Sequence, residues 1–425
     1  MRQSFIPAKI MNQNLFHLQN KLIAKLPGQF LLVPLIISLL VFTAPSRAGD
    51  AAPVFPAAND LPVRAAMPDP LVTANGQKIA TAAQWQAHRV AIKELLEHYA
   101  VGHAPPPPGN VTGHEILVTN LLDGQATCRF VHLAFGPENK LGFDVAIFIP
   151  AASDAFKSPF PTIVQPVFST ISVTNSWEDV AKPYAEALRR GYVVAAFYYQ
   201  QCGLDKPDYR QTGFFSAYPD YDWGDLAAWA WSMSRCVDYL QTQPFADQTK
   251  FIALGHSRLG KTALVAGAFD ERFALTAPAG SGCGGTGAYR FNGKTRGGKE
   301  GLEDATKHFP QWFGPHLADF AGQVEKLPFD QHWFFALCAP RRFIAVDGLS
   351  DPAANGNALA QSYLAAQPVY ALLGVPAHLG INYRPGGHRL APEDWTAVLD
   401  FADQQLRGLP VKRTFDQLPP ADQLH

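Results

Sequence analysis

In the stretch FIALGHSRLGKTAL, residues 251–264, an apolar run stops at Gly255 and leads into Ser257, Arg258, Gly260 and Lys261. A serine set between small residues, after an apolar run and before helix-forming residues, suits a nucleophile turn. Such a tight strand-to-helix connection lifts Oγ above the carboxyl edge of a sheet and aims the next backbone N–H at an oxyanion. The spacing is G-x-S-x-x-G rather than the commoner G-x-S-x-G, and a serine here also suits a plain helix cap. A serine hydroxyl is almost never ionised near neutral pH, so it needs a base to act as a nucleophile. In this fold an acid and then a histidine should follow, each past a later strand.

The run RRFIAVDGLSD supplies Asp351 at the end of a G-x-x-D turn, with Asp347 four residues earlier as the reserve. INYRPGGHRLAPEDW supplies His388 after Gly386 and Gly387, which let the backbone turn an imidazole toward the serine. A lone loop histidine is ordinarily just exposed. The order Ser257, Asp351, His388, each past an apolar strand, favours a triad. His388 then takes the serine proton, and the acid fixes the tautomer and stabilises the imidazolium. Arg258 places a guanidinium next to the nucleophile, where negative charge develops.

These loops need a scaffold. From Pro161 onward short apolar runs (TIVQPVF, YVVAAFYY, KFIALG, FALTAP, RFIAVDG) alternate with helical stretches such as DLAAWAWSMSRCVDYLQ and LGKTALVAGAF. Buried strands alternating with helices predict a mostly parallel sheet covered on both faces, an α/β-hydrolase fold. Upstream, EILVTNLL, TCRFVHLAF and FDVAIFIP read as antiparallel strands that add to or flank the same sheet. The stretch from Ala83 to Gly102 has helical spacing of Trp85, Val90, Ile92, Leu95, Leu96 and Tyr99. It stops before a proline run that cannot continue a helix.

The chain of 425 residues is 47% hydrophobic and 17% charged, as expected of a globular protein. Its formal net charge of −1, without a long basic block, argues against nucleic acid as the main partner. Before Asp50 there are basic residues and no acid, then the apolar run Phe30 to Ala44, then Ser46 and Ala48 before Gly49. That order predicts a signal peptide over residues 1–48; the alternative, an uncleaved anchor, needs roughly 20 apolar residues to span a bilayer. Residues 49–70 read as a linker and 71–425 as one catalytic domain, secreted or periplasmic, with no stable membrane association after cleavage. Five cysteines show no metal spacing, and an odd count leaves at least one unpaired within the chain. No metal site and no cofactor are expected.

The stretch G-H-S-R-L-G-K resembles the nucleophile turn of the glucuronoyl esterases of carbohydrate esterase family 15, which carry a serine–arginine pair followed by G-K. The resemblance extends over MPDPL, AAQWQAHR, DWGDLAAWAWSMSRCVDYL, SGCGG, FPQWF, LPFDQH, APRR and GGH. It implies Ser257 as nucleophile, His388 as base, Arg258 as an oxyanion donor, and Lys261 and Glu300 as sugar-binding residues. Read without it, Lys261 and Glu300 belong to a solvated helix and loop.

Two departures stand out. Some relatives carry the acid just before S-G-x-G-G, where this chain has Gly280; the acid must then be Asp351, or Asp347 in reserve. Bacterial relatives often have a tryptophan two residues beyond this second acid, where this chain has Ala353. Trp312, in FPQWFG, reads as core rather than as its replacement.

The resemblance implies a serine esterase acting on esters of glucuronic acid, as in glucuronoxylan–lignin linkages. A sugar acid suits the cations Arg258 and Lys261; Gln165 and Gln331 are further polar candidates. The alternatives are an acetyl or feruloyl carboxylesterase on the same triad, and a non-catalytic carbohydrate-binding protein on a hydrolase scaffold. Binding alone would require none of the three triad residues.

Overall fold

A computed structural model describes residues 54–292 and 300–424. The expected signal peptide lies outside the described residues. One nine-stranded sheet organises the chain, in the order β1-β2-β3-β5-β4-β6-β7-β8-β9. The strands are β1 (Thr112–Leu121), β2 (Ala126–Phe135), β3 (Leu141–Pro150), β4 (Phe160–Val167), β5 (Val193–Tyr198), β6 (Ala246–His256), β7 (Phe273–Ala279), β8 (Arg342–Gly348) and β9 (Leu379–Arg384). The first three and β5 pair antiparallel. From β5 through β4 to β9 every pairing is parallel. The early strands therefore extend the catalytic sheet itself, in the α/β-hydrolase arrangement that the alternating pattern predicts.

The helices are α1 (Ala82–Leu96), α2 (Trp177–Ala181), α3 (Ala185–Arg189), α4 (Asp225–Leu240), α5 (Arg258–Phe269), α6 (Leu302–His308), α7 (His332–Cys338), α8 (Gly356–Leu372) and α9 (Pro392–Arg407). Alternate residues along each central strand serve opposite cores, because side chains of a strand alternate in direction. Phe251, Ala253, Phe343 and Ala345 join the core with α1, α4, α5, α7 and α8. Ile252, Leu254, Ile344 and Val346 join the second core, with α3 and α9. Burial on both faces explains why these strands read as continuous apolar runs.

Two sequence expectations meet a different outcome. Val90 is 53% exposed, so the apolar stripe of α1 runs through Trp85, Ile92 and Leu96 without it. Residues 54–70, expected as linker, lie against the domain. Pro56 O accepts from Tyr99 Oη at 2.6 Å, and Pro68 O accepts from Trp333 Nε1 at 2.9 Å. All five cysteines are buried and unpaired.

Candidate active site

Strand β6 delivers Ser257 at the first residue of a sharp turn into α5. Its backbone has φ 59° and ψ −128°, in the positive-φ region that a non-glycine residue seldom enters. The Ser257 N–H donates to Ala279 O at 2.9 Å on the neighbouring strand, which holds the turn against the sheet. Both glycines of the motif have a steric cause. A Cβ at Gly255 would lie 1.9 Å from Leu259 O, and one at Gly260 would lie 2.8 Å from Ala279 O. The longer G-x-S-x-x-G spacing thus puts the second glycine where α5 crosses the end of β7.

The loops after β8 and β9 bring the other two residues. His388 Nε2 is 2.8 Å from Ser257 Oγ, and His388 Nδ1 is 2.7 Å from Asp351 Oδ2. The two loops are hydrogen-bonded to each other, Leu349 N–H to Arg384 O at 2.8 Å and Ser350 N–H to Gly386 O at 3.0 Å. Asp351 Oδ1 takes the Ala353 N–H at 2.8 Å, so both carboxylate oxygens are engaged. With Nδ1 donating to the Asp351 carboxylate, Nε2 is left to accept from Ser257 Oγ.

Asp347 does not reach the histidine. Its Oδ1 accepts the Gly348 N–H at 2.8 Å, and its Oδ2 is buried without a partner among the described residues. Burial and the neighbouring Asp351 push its carboxyl well above the usual range. Gly280, at φ +50°, lies beside the acid: a Cβ there would stand 3.2 Å from His256 Nε2 and 3.4 Å from Asp351 Oδ2. Position 280 and the Asp351 carboxylate therefore converge on one spot beside His388.

Around the serine the cations are tightly held. Arg258 Nη1 donates to Asp205 Oδ2, and its guanidinium lies 5.0 Å from the Trp312 ring centroid. Lys261 is 4% exposed, and its ammonium donates to Ser281 O at 2.6 Å and Cys283 O at 2.5 Å. Burial lowers the Lys261 pKa. Glu300 Oε2 lies 3.9 Å from Lys261 Nζ. Trp312 is buried, as expected of a core residue, yet its ring also faces both cations. Gln165 and Gln331 are buried, each with an Oε1 that has no partner among the described residues.

Three site residues escaped the sequence analysis. His256, just before Ser257, packs its ring 4.7 Å from that of His388, and burial holds its pKa down to about 4. Arg384, 4% exposed, clamps the histidine loop by donating to Pro385 O and Gly387 O, each at 3.1 Å, and to Asp394 Oδ2 at 2.7 Å. Asp205 anchors Arg258. A G-H-S-R context and an R-P-G-G-H run contain two of these residues, but nothing in either marks their partners.

A family model described as fungal glucuronyl esterase matches residues 137–374. The chain is 31% identical over 399 residues to a carbohydrate esterase of an unknown prokaryotic organism, covering 80% of this chain and 90% of that one. It is 28% identical to the 4-O-methyl-glucuronoyl methylesterase of Schizophyllum commune, over 79% of this chain and 80% of the relative. Among solved structures, the glucuronoyl esterase of Solibacter usitatus superposes with a TM-score of 0.73 at 26% identity, covering 82% of this chain and 99% of that one. The family 15 glucuronoyl esterase of Caldicellulosiruptor kristjansonii gives 0.70 at 31% identity, covering 84% and 94%.

Proposed function

The chain belongs to the glucuronoyl esterases of carbohydrate esterase family 15, a family of carboxylic ester hydrolases, and we propose that it cleaves esters of 4-O-methyl-glucuronic acid with Ser257, His388 and Asp351 as its triad. The observation that carries this reading is the continuous path Ser257 Oγ–His388–Asp351, at 2.8 and 2.7 Å. His388 Nε2 takes the hydroxyl proton as Oγ attacks the ester carbonyl. The imidazolium that results is balanced by Asp351 and then gives its proton to the departing alcohol oxygen. Water, deprotonated by the same nitrogen, releases the uronic acid from Ser257.

Arg258 contributes twice in this proposal. Its backbone N–H, the first past the nucleophile, and its guanidinium both favour the negative oxygen of the tetrahedral intermediate. The uronate ester is neutral at its carbonyl, so the Arg258 guanidinium acts on charge that appears during the reaction. Differential stabilisation of that kind lowers the barrier rather than only tightening binding. Lys261 and Glu300 are read as the sugar contact. The 3.9 Å between them is too long for a hydrogen bond, and Lys261 has two of its three protons on carbonyls. A sugar hydroxyl bridging the third proton and the Glu300 carboxylate would satisfy both.

Ala353 favours a second reading. Ala353 offers no ring on which a sugar could stack at this position, and an acetyl or feruloyl ester would use the same triad. Parallel kinetics on benzyl glucuronate, methyl glucuronate, an aryl acetate and a feruloyl ester decide between them. The glucuronate reading expects the highest kcat/KM on a glucuronate ester; a preference for the acetate or feruloyl ester would sink it.

The protein is proposed to act outside the cytoplasm, after cleavage behind Ala48. Among the described residues no helix is long and apolar enough to cross a membrane. Mass spectrometry of protein from its native host should find a mature terminus near Gly49 or Asp50. A full-length chain in the membrane fraction would establish the anchor instead.

A further inference from the structure

We propose that Asp205 is a positioning residue for ester hydrolysis, fixing the Arg258 guanidinium where the oxyanion forms beside Ser257. The inference rests on the reading of Arg258 as an oxyanion donor, and adds the group that makes this donor ready before substrate arrives. Asp205 lies on the loop after β5, far from the triad in sequence, with its side chain 5% exposed. Its carboxylate gathers four donors from three separate parts of the chain. Oδ2 accepts from Arg258 Nη1 and from Tyr199 Oη at 3.2 Å. Oδ1 accepts from Gln311 Nε2 at 2.9 Å and from Trp312 Nε1 at 2.7 Å.

The Arg258 side chain is 31% exposed, and a long side chain that open to solvent samples many rotamers unless anchored. Asp205 supplies its only hydrogen-bond acceptor among the described residues. Trp312 supports the guanidinium from the side, its ring stacked on Phe309 at 4.0 Å. Trp312 therefore braces both members of the pair, through Nε1 to Asp205 and through its π face to Arg258. A donor locked before the reaction costs no reorganisation as the oxyanion forms, which is the condition for large electrostatic stabilisation.

Arg258→Ala, Asp205→Asn and the double variant test this on benzyl glucuronate, with thermal melts alongside. Loss of one oxyanion donor typically costs about 10²–10³ in kcat, the expected effect of Arg258→Ala. Asp205→Asn keeps the shape but cannot accept from both donors at each oxygen, and should lower kcat roughly tenfold to a hundredfold. KM should stay within about twofold, because the interaction acts only in the transition state. In the Arg258→Ala background the same change should lose less than about twofold further. Equal losses in both backgrounds, or an Asp205→Asn enzyme with wild-type kcat beside an impaired Arg258→Ala enzyme, would overturn the role of Asp205. Wild-type kcat in Arg258→Ala would instead remove the oxyanion reading of Arg258, and the present inference with it. Should Asp205→Asn fail to fold, Trp312→Phe takes its place. It keeps a ring under Arg258 but removes the Nε1 donor, and should cost several-fold in kcat at constant KM; unchanged kcat there would also overturn the proposal.

Discussion

Asp351 accepts the Nδ1 proton of His388 at 2.7 Å from a loop that is itself hydrogen-bonded to the histidine's loop. The two loops are therefore tied by backbone bonds as well as by the side chains, and the orientation of the imidazole does not depend on a single contact. Asp347, four residues upstream, is the last residue but one of β8, with its carboxyl buried and directed elsewhere.

The two aspartates should separate cleanly in kinetics. Asp351→Asn favours the wrong imidazole tautomer and should lower kcat by roughly 10⁴ with little change in KM. Asp347→Asn replaces a carboxyl whose charged form burial disfavours and which is bonded to the Gly348 N–H rather than to His388, so it should cost less than about tenfold in kcat. The reverse ranking in two folded variants would transfer the role of the acid to Asp347. Mild effects from both would leave Ser257 and His388 to act as a dyad.

Much of this geometry was legible in the sequence. Ser257 could be placed because an apolar strand, two glycines and a helix surround it, and local sterics demand each of them. His388 and Asp351 followed from chain order and from loops past apolar runs. What the sequence left dark is long-range. Asp205 meets Gln311 and Trp312 across 106 and 107 positions, and no periodicity links such residues. The burial of Lys261 was equally hidden, since α5 is covered by backbone from the 281–283 loop that a helical pattern cannot register. Trp312 was rightly read as buried, but a residue can be both core and part of a site when its ring faces two cations.

Gly280 should resist an acid. A Cβ there would press on the His256 ring and on Asp351 at a φ of +50°, and a second carboxylate would repel the first. Gly280→Asp with Asp351 intact should lose about 1–3 kcal/mol of stability and show a reduced kcat. Urea unfolding and steady-state kinetics check both; wild-type values in each would mean that the site has room for two acids.

Asp225 should weaken the fold as pH rises. Its carboxyl is buried without a partner among the described residues and keeps its proton up to about 9, while an unfolded aspartate releases it near 4. Between those values the folded state binds the extra proton, so the stability this group contributes is present below pH 4 and lost as pH climbs. Asp225→Asn removes that dependence. The variant should therefore gain on the wild type by roughly 4 kcal/mol between pH 4 and 7, at 1.36 kcal/mol per unit. A stability difference that stays flat over this range, by urea unfolding, would show that Asp225 is ionised in the folded protein.

The nucleophile is the centre of the account, and Ser257→Ala tests it most directly. A methyl group fits the turn but has no oxygen for attack, so the variant should fold with an unchanged melt. On benzyl glucuronate its kcat should fall by roughly 10⁴ to 10⁶, leaving only what binding and the oxyanion donors provide. A folded Ser257→Ala protein with activity within about tenfold of wild type would contradict the account, because hydrolysis would then proceed without the serine on which every other assignment depends.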